Sequence, residues 1–138
     1  MLNGIAALLV GRDEELLQAL KQALEQLGIE TDTARSYKQA RIFLEQPNPP
    51  ELVFSEVNLT DGTWSAVLSL AAQASVPVQV IVVSQVVDYK LFIDVLESGG
   101  ADFIMPPFQA ADLGYVVRSV KEKAANLSHQ PGLRVTAA

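Results

Sequence analysis

Val78-Gln79-Val80-Ile81-Val82-Val83-Ser84 is the most strongly β-branched run in the chain. Side chains branched at Cβ suit a pleated surface packed on both sides, so this run is expected to be a central strand. Segments of helical period flank it. Upstream, a helix over about 63–74 would pack Trp64, Val67, Leu68 and Ala71. Downstream, a helix over about 88–98 is stopped by Gly99-Gly100, and a short strand over 102–105 is ended by Pro106-Pro107. The last helix, over about 110–125, carries Leu113, Val116, Val117 and Val120 on its buried side.

The same alternation extends to the start of the chain. Residues 5–10 form a near-continuous apolar run, as expected of a strand covered on both faces. Asp13 opens a helix with Leu16, Leu17, Leu20, Leu24 and Leu27 on one stripe, and Gly28 is placed to close it. A half-exposed strand over 29–34 follows. Ser36 with Gln39 is a capping-box pattern that opens a helix to about Glu45, which Pro47-Asn48-Pro49-Pro50 terminates. Residues 52–57 are a further strand, with a turn at Asp61-Gly62. Five strand–helix units imply parallel strands, right-handed crossovers and helices on both faces of one sheet. Residues 1–125 are expected to form one domain, and 126–138, which lack an apolar period and contain Pro131-Gly132, a C-terminal tail or linker stub.

Composition narrows the function classes. The chain has 138 residues, 49% of them hydrophobic, which is enough for one buried core. Lys plus Arg is 10 and Asp plus Glu is 16, a formal net charge of −6, so direct binding to nucleic acid is not expected. With no cysteine and only His129 as histidine, thiolate and multi-histidine metal sites are excluded. No basic leader or membrane-length apolar run is visible, so the expectation is a cytoplasmic protein without a membrane segment. The sequon Asn126-Leu127-Ser128 is read as chance.

In an open parallel sheet, ligands collect at the carboxyl ends of the strands. The residues there are Gly11-Arg12, Glu56, Ser84 and Pro106. At this point residues 4–125 resemble the receiver domain of bacterial response regulators. Leu9-Val10-Gly11-Arg12 stands where that family has a strand followed by two aspartates. Leu52-Val53-Phe54-Ser55-Glu56 stands where the next strand ends in the phosphorylated aspartate, and Asn58 to Gly62 looks like the loop after it. Val82-Val83-Ser84 matches the strand with the switch hydroxyl. Gly100 to Phe108 resembles the segment that carries the switch aromatic, here Phe103, and ends Lys-Pro-Phe. The resemblance implies a flavodoxin-like, doubly wound α/β fold with five strands in the order 2-1-3-4-5 and five helices.

The departures bear on function. In the family an acidic pair holds Mg²⁺, an aspartate accepts the phosphoryl group, and a lysine neutralises the product. Gly11 supplies no ligand, Arg12 brings a fixed positive charge, and Asn58 adds no carboxylate. Glu56 is one methylene longer than the phosphoacceptor aspartate, and Pro106 stands at the lysine position. The resemblance implies a cis bond between Pro106 and Pro107. Asp13 is read as the cap of the first helix rather than a metal ligand. No metal and no cofactor are expected.

Glu56 has two readings, an imitation of the phosphorylated aspartate or a remnant carboxylate paired with Arg12 across the cleft. Ser84 is either the switch hydroxyl or a cap on a neighbouring amide, and Phe103 either the switch aromatic or core. Trp64, Tyr89, Phe92 and Tyr115 are expected to line the core or a groove. The family's usual partner face is the fourth helix, fifth strand and fifth helix. Here it would present Asp88, Tyr89, Lys90, Asp94, Glu97, Tyr115, Arg118 and Lys121 to a protein partner or a second copy, with a downstream output domain a further possibility. The expected function is a non-enzymatic pseudo-receiver, a protein-interaction module independent of phosphorylation. The alternatives are a receiver phosphorylated by an atypical route and a flavodoxin-like binder of small anions.

Overall fold

The structure, a computed structural model, describes residues 2–129. Its elements in chain order are β1 (Ala6–Val10), α1 (Glu14–Gln26), β2 (Glu30–Ala34), α2 (Tyr37–Leu44), β3 (Leu52–Glu56), α3 (Trp64–Ala72), β4 (Gln79–Val83), α4 (Tyr89–Glu97), β5 (Asp102–Ile104) and α5 (Ala110–His129). The five strands pair in parallel in the order β2-β1-β3-β4-β5. This is the doubly wound, flavodoxin-like order that the resemblance implies, with β4 inside the sheet as its β-branched composition predicts.

Alternation along the strands divides the core in two. Ala7 and Leu9 of β1, Leu52 and Phe54 of β3, and Ile81 and Val83 of β4 pack under Leu17, Leu20 and Leu24 of α1 and Leu113, Val117 and Val120 of α5. The intervening residues Leu8, Val10, Val53 and Val80 face the other way, against Ala40 and Leu44 of α2 and Val67, Leu70 and Ala71 of α3. Both faces are covered, which is why the strands read as unbroken apolar runs.

The helix ends follow from side chains written in the sequence. Asp13 caps α1, its carboxylate accepting from the Leu16 amide at 3.1 Å. At the other end Gly28 takes φ +85°, its amide bonds to the Glu25 carbonyl at 3.0 Å, and the Ile29 amide bonds to the Leu24 carbonyl at 3.2 Å. That pair of bonds needs a left-handed residue after the cap, which glycine adopts without cost from a Cβ. Ser36 caps α2 by accepting from the Gln39 amide at 3.1 Å. α2 has a second cap from outside: Asp61, in the loop after β3, accepts from the Tyr37 amide at 2.7 Å and the Lys38 amide at 3.1 Å. These amides hold its carboxyl below the usual carboxylate range.

α5 runs to His129, four residues beyond the 125 expected from the apolar period. Loss of the apolar stripe after residue 125 therefore does not itself end the helix. The remainder of the expected tail, from residue 130, lies outside the described residues. Among the described residues, no helix is long and apolar enough to cross a membrane.

Candidate functional site

The carboxyl ends of β1, β3 and β4 open onto a cleft of about 690 Å³. Arg12, Asp13, Glu56, Asn58, Ser84 and Gln85 all lie on its walls. The fold therefore gathers the strand-end residues identified in the sequence, with Phe103, Pro106 and Pro107 on the β5 side.

Glu56 is the centre of the arrangement. Its side chain is half-buried, and its Oε2 accepts from the backbone amide of Asp13 at 3.0 Å. To reach that amide the side chain lies across Gly11. A Cβ on Gly11 would stand 2.6 Å from Glu56 Cδ and 2.8 Å from Cγ, and closer still to Oε2. The missing side chain at 11 and the extra methylene at 56 are thus two halves of one fit. The carboxylate ends at the first turn of α1, where free amides and the helix dipole favour negative charge.

The ion pair expected between Arg12 and Glu56 does not form. Among the described residues, no ion pair involves Arg12, whose side chain is exposed. The reason is the reach of Glu56: folding over Gly11 brings the carboxylate to main-chain donors, and Arg12 points to water. Burial pushes the Glu56 carboxyl above its usual range, with the Asp13 carboxylate adding to the rise; the Asp13 and Arg12 amides pull the other way, and the Arg12 charge opposes it least.

A glutamate with a raised folded-state pKa binds its proton more readily in the folded than in the unfolded chain. Its charged form therefore costs stability above the folded pKa, and that cost disappears as pH falls to the ordinary glutamate value. Glu56→Gln keeps an acceptor for the Asp13 amide and cannot ionise. It should be at least as stable as wild type at neutral pH, and wild type should gain on it as pH falls. Urea midpoints of both proteins across that acidic range check this, and a wild type that loses ground on acidification would contradict the assignment.

Asp13 joins the site to its other wall. Its second carboxylate oxygen accepts from the side-chain amide of Gln85, in the loop after β4. Nothing in the sequence near Gln85 signals this contact, because the partners are 72 positions apart. Ser84 is buried, and its hydroxyl donates to the Val86 carbonyl at 3.0 Å while lying 3.2 Å from the Val86 amide. It serves its own loop in this structure. Phe103 is half-buried against Phe92 of α4, with ring centroids 5.7 Å apart. The Pro106–Pro107 bond is cis, and both prolines are exposed. Asn58 is exposed and bridges to Thr63 across the loop after β3.

Mg²⁺ takes several hard oxygen ligands around one point. The residues here do not fit it. Gly11 offers no oxygen from a side chain, Arg12 carries a cation, and the Glu56 carboxylate is engaged by an amide. Among the described residues, no group of three or more acidic, histidine or cysteine side chains is placed to hold a metal ion.

Two aromatic expectations are corrected. Tyr89 and Tyr115 are exposed, as their place on the partner face requires, and not core, because α4 turns Val95 toward the sheet and the side of α5 that carries Val117 is the buried one. Lys121 also leaves the expected partner face, pairing with Glu51 at 2.6 Å near the opposite ends of the strands.

Comparison with known proteins places this geometry. The response regulator receiver domain family matches residues 7–118. The chain belongs to that family. Among solved structures, the receiver domain of the Francisella response regulator 1452 is similar at TM-score 0.74 and 21% identity, over 88% of this chain and 99% of that one. The non-phosphorylated HemR receiver domain from Leptospira biflexa gives 0.69 and 25% identity, over 84% and 93%. NtrX from Brucella abortus gives 0.79 and 23% identity, over 93% of this chain and 29% of that one. No curated protein matches the sequence.

Proposed function

We propose that this receiver domain is a pseudo-receiver: a non-enzymatic protein-interaction module that works without phosphorylation. The observation that carries the reading is the Glu56 carboxylate, folded over Gly11 and bonded to the Asp13 amide. Phosphoryl transfer needs an in-line carboxylate and neutralisation of the charge that develops. Here the carboxylate at that position is turned into α1, the acidic pair is absent, and a proline stands at the lysine position. Phosphorylation by an atypical route lacks a free carboxylate at the strand end. An external anion would compete with Glu56 for the same amides. In this reading the module acts inside the cytoplasm, through a protein partner on the α4–β5–α5 side or a downstream output domain joined through residues after 125.

The test is exposure to acetyl phosphate, and separately to beryllofluoride, with and without Mg²⁺. Intact mass and the fluorescence of Trp64, which begins α3 beside the cleft, are the readouts. No Mg²⁺-dependent change is expected with either reagent. A phosphorylated mass that requires Mg²⁺ would overturn the proposal.

A further inference from the structure

At the amino ends of β1, β3 and β4, the opposite end of the sheet from the cleft, lies a second cavity of about 520 Å³. Leu52, Val76, Pro77 and Ala124 give it apolar walls, and Glu51 and Lys121 stand among them. Val76 is 42% exposed, so apolar surface is available there. Small-molecule sites have this make-up, a mostly apolar lining with a few polar groups and a volume of about 300–1,000 Å³. The two charges bond to each other: Lys121 Nζ donates to Glu51 Oε2 at 2.6 Å, joining α5 to the residue before β3. Neither is sealed by the contact, since their side chains stay 40% and 35% exposed. An ammonium has three donors and a carboxylate about four acceptor positions, and the bond uses one of each.

Opposite charges side by side on one wall select among ligands. A plain carboxylate is drawn to Lys121 and repelled by Glu51, and a plain amine meets the reverse. A molecule with both charges satisfies both, its carboxylate bonding to the ammonium and its ammonium to the carboxylate. An α-amino acid has the two on a single carbon, so the four charges alternate around one contact. The apolar surface beside the pair then receives the side chain. We propose that this cavity binds a free α-amino acid with an apolar side chain, through Lys121, Glu51 and the wall formed by Leu52, Val76 and Pro77. Glu51 precedes β3 and Glu56 ends it, so the proposal stands whether or not the cleft takes a phosphoryl group.

The test is equilibrium dialysis of radiolabelled leucine against the full chain, with unlabelled competitors. Leucine is expected to bind with a Kd below about 1 mM. Leucine amide lacks the anion, isocaproate lacks the cation, and aspartate lacks the apolar side chain. Each should compete at least tenfold more weakly than leucine. Lys121→Met keeps an unbranched stem and removes the charge. It and Glu51→Gln should each weaken leucine binding at least tenfold, and Val76→Asp should do the same from the apolar wall. Ile42→Asp, at an exposed isoleucine on α2, should leave it unchanged. No leucine binding, or equal competition by isocaproate or leucine amide, would overturn the inference. So would unchanged affinity in both Lys121→Met and Glu51→Gln. The competitor series uses the unaltered chain, so it decides the matter even where a variant fails to fold.

Discussion

Gly11→Ala is expected to lower the free energy of unfolding by about 1–2 kcal/mol, an unusual sign for removing a glycine from backbone that does not need one. Gly11 is not among the glycines with positive φ, so alanine meets no backbone strain there. Where nothing else intervenes, the substitution stabilises by restricting the unfolded chain, by about 0.4–1 kcal/mol. The new methyl would overlap the Glu56 side chain, which must leave the space and take its carboxylate off the Asp13 amide. The loss is the unmade bond to a partly buried donor. In a Glu56→Ala background that obstacle is gone, and Gly11→Ala should become neutral or stabilising. A double-mutant cycle from urea unfolding measures the difference. Equal effects in the two backgrounds would show that Gly11 and Glu56 do not share the space.

Restoring the family's residues should bring Mg²⁺ back. The variant Gly11→Asp, Arg12→Asp, Glu56→Asp, Pro106→Lys is expected to bind Mg²⁺ at least tenfold more tightly than the parent, about 1.4 kcal/mol. It should also respond to beryllofluoride when Mg²⁺ is present. Shortening Glu56 clears the space over position 11. The acids at 11 and 12 then add hard oxygens at the end of β1, and the lysine supplies positive charge from the end of β5. Trp64 fluorescence against Mg²⁺ concentration reads the gain. Gly11→Asp alone should show none of it, since its carboxylate would crowd Glu56. A silent fourfold variant would mean that these positions are not what governs Mg²⁺ binding at this cleft. The Gln85–Asp13 bond across the cleft would then be the next feature to remove.

The fold was legible because parallel strands buried on both faces carry their signal in a few adjacent residues. Residues 52–56 and 79–83 needed no partner to be read, and Asp13, Ser36 and Gly28 marked helix ends by local chemistry. Strand order was different: it came from the resemblance, since no local feature says that β1 lies between β2 and β3. The site was legible as a set of positions and not as a set of contacts. Gly11 and Glu56 were noticed as separate departures, while their complementarity is visible only once β1 and β3 are side by side. Arg12 attracted the pairing expectation because opposite charges at neighbouring strand ends suggest one. Main-chain amides leave no trace in a sequence, so the true partner of Glu56 could not be read there. Tyr89 shows a further limit, since an apolar period on a helix with two apolar sides does not say which side is covered.

The reach of Asp61 to the start of α2 has a consequence for the order in which the chain acquires structure. α2 has eight residues, too few to persist as an isolated helix in water. Two of its first amides are satisfied by a carboxylate more than twenty positions later, beyond β3. Until β3 is laid down and the loop after it turns, the start of α2 has Ser36 alone to hold it. The first turn of α2 is thus fully capped only when the loop after β3 is in place, although it stands early in the chain.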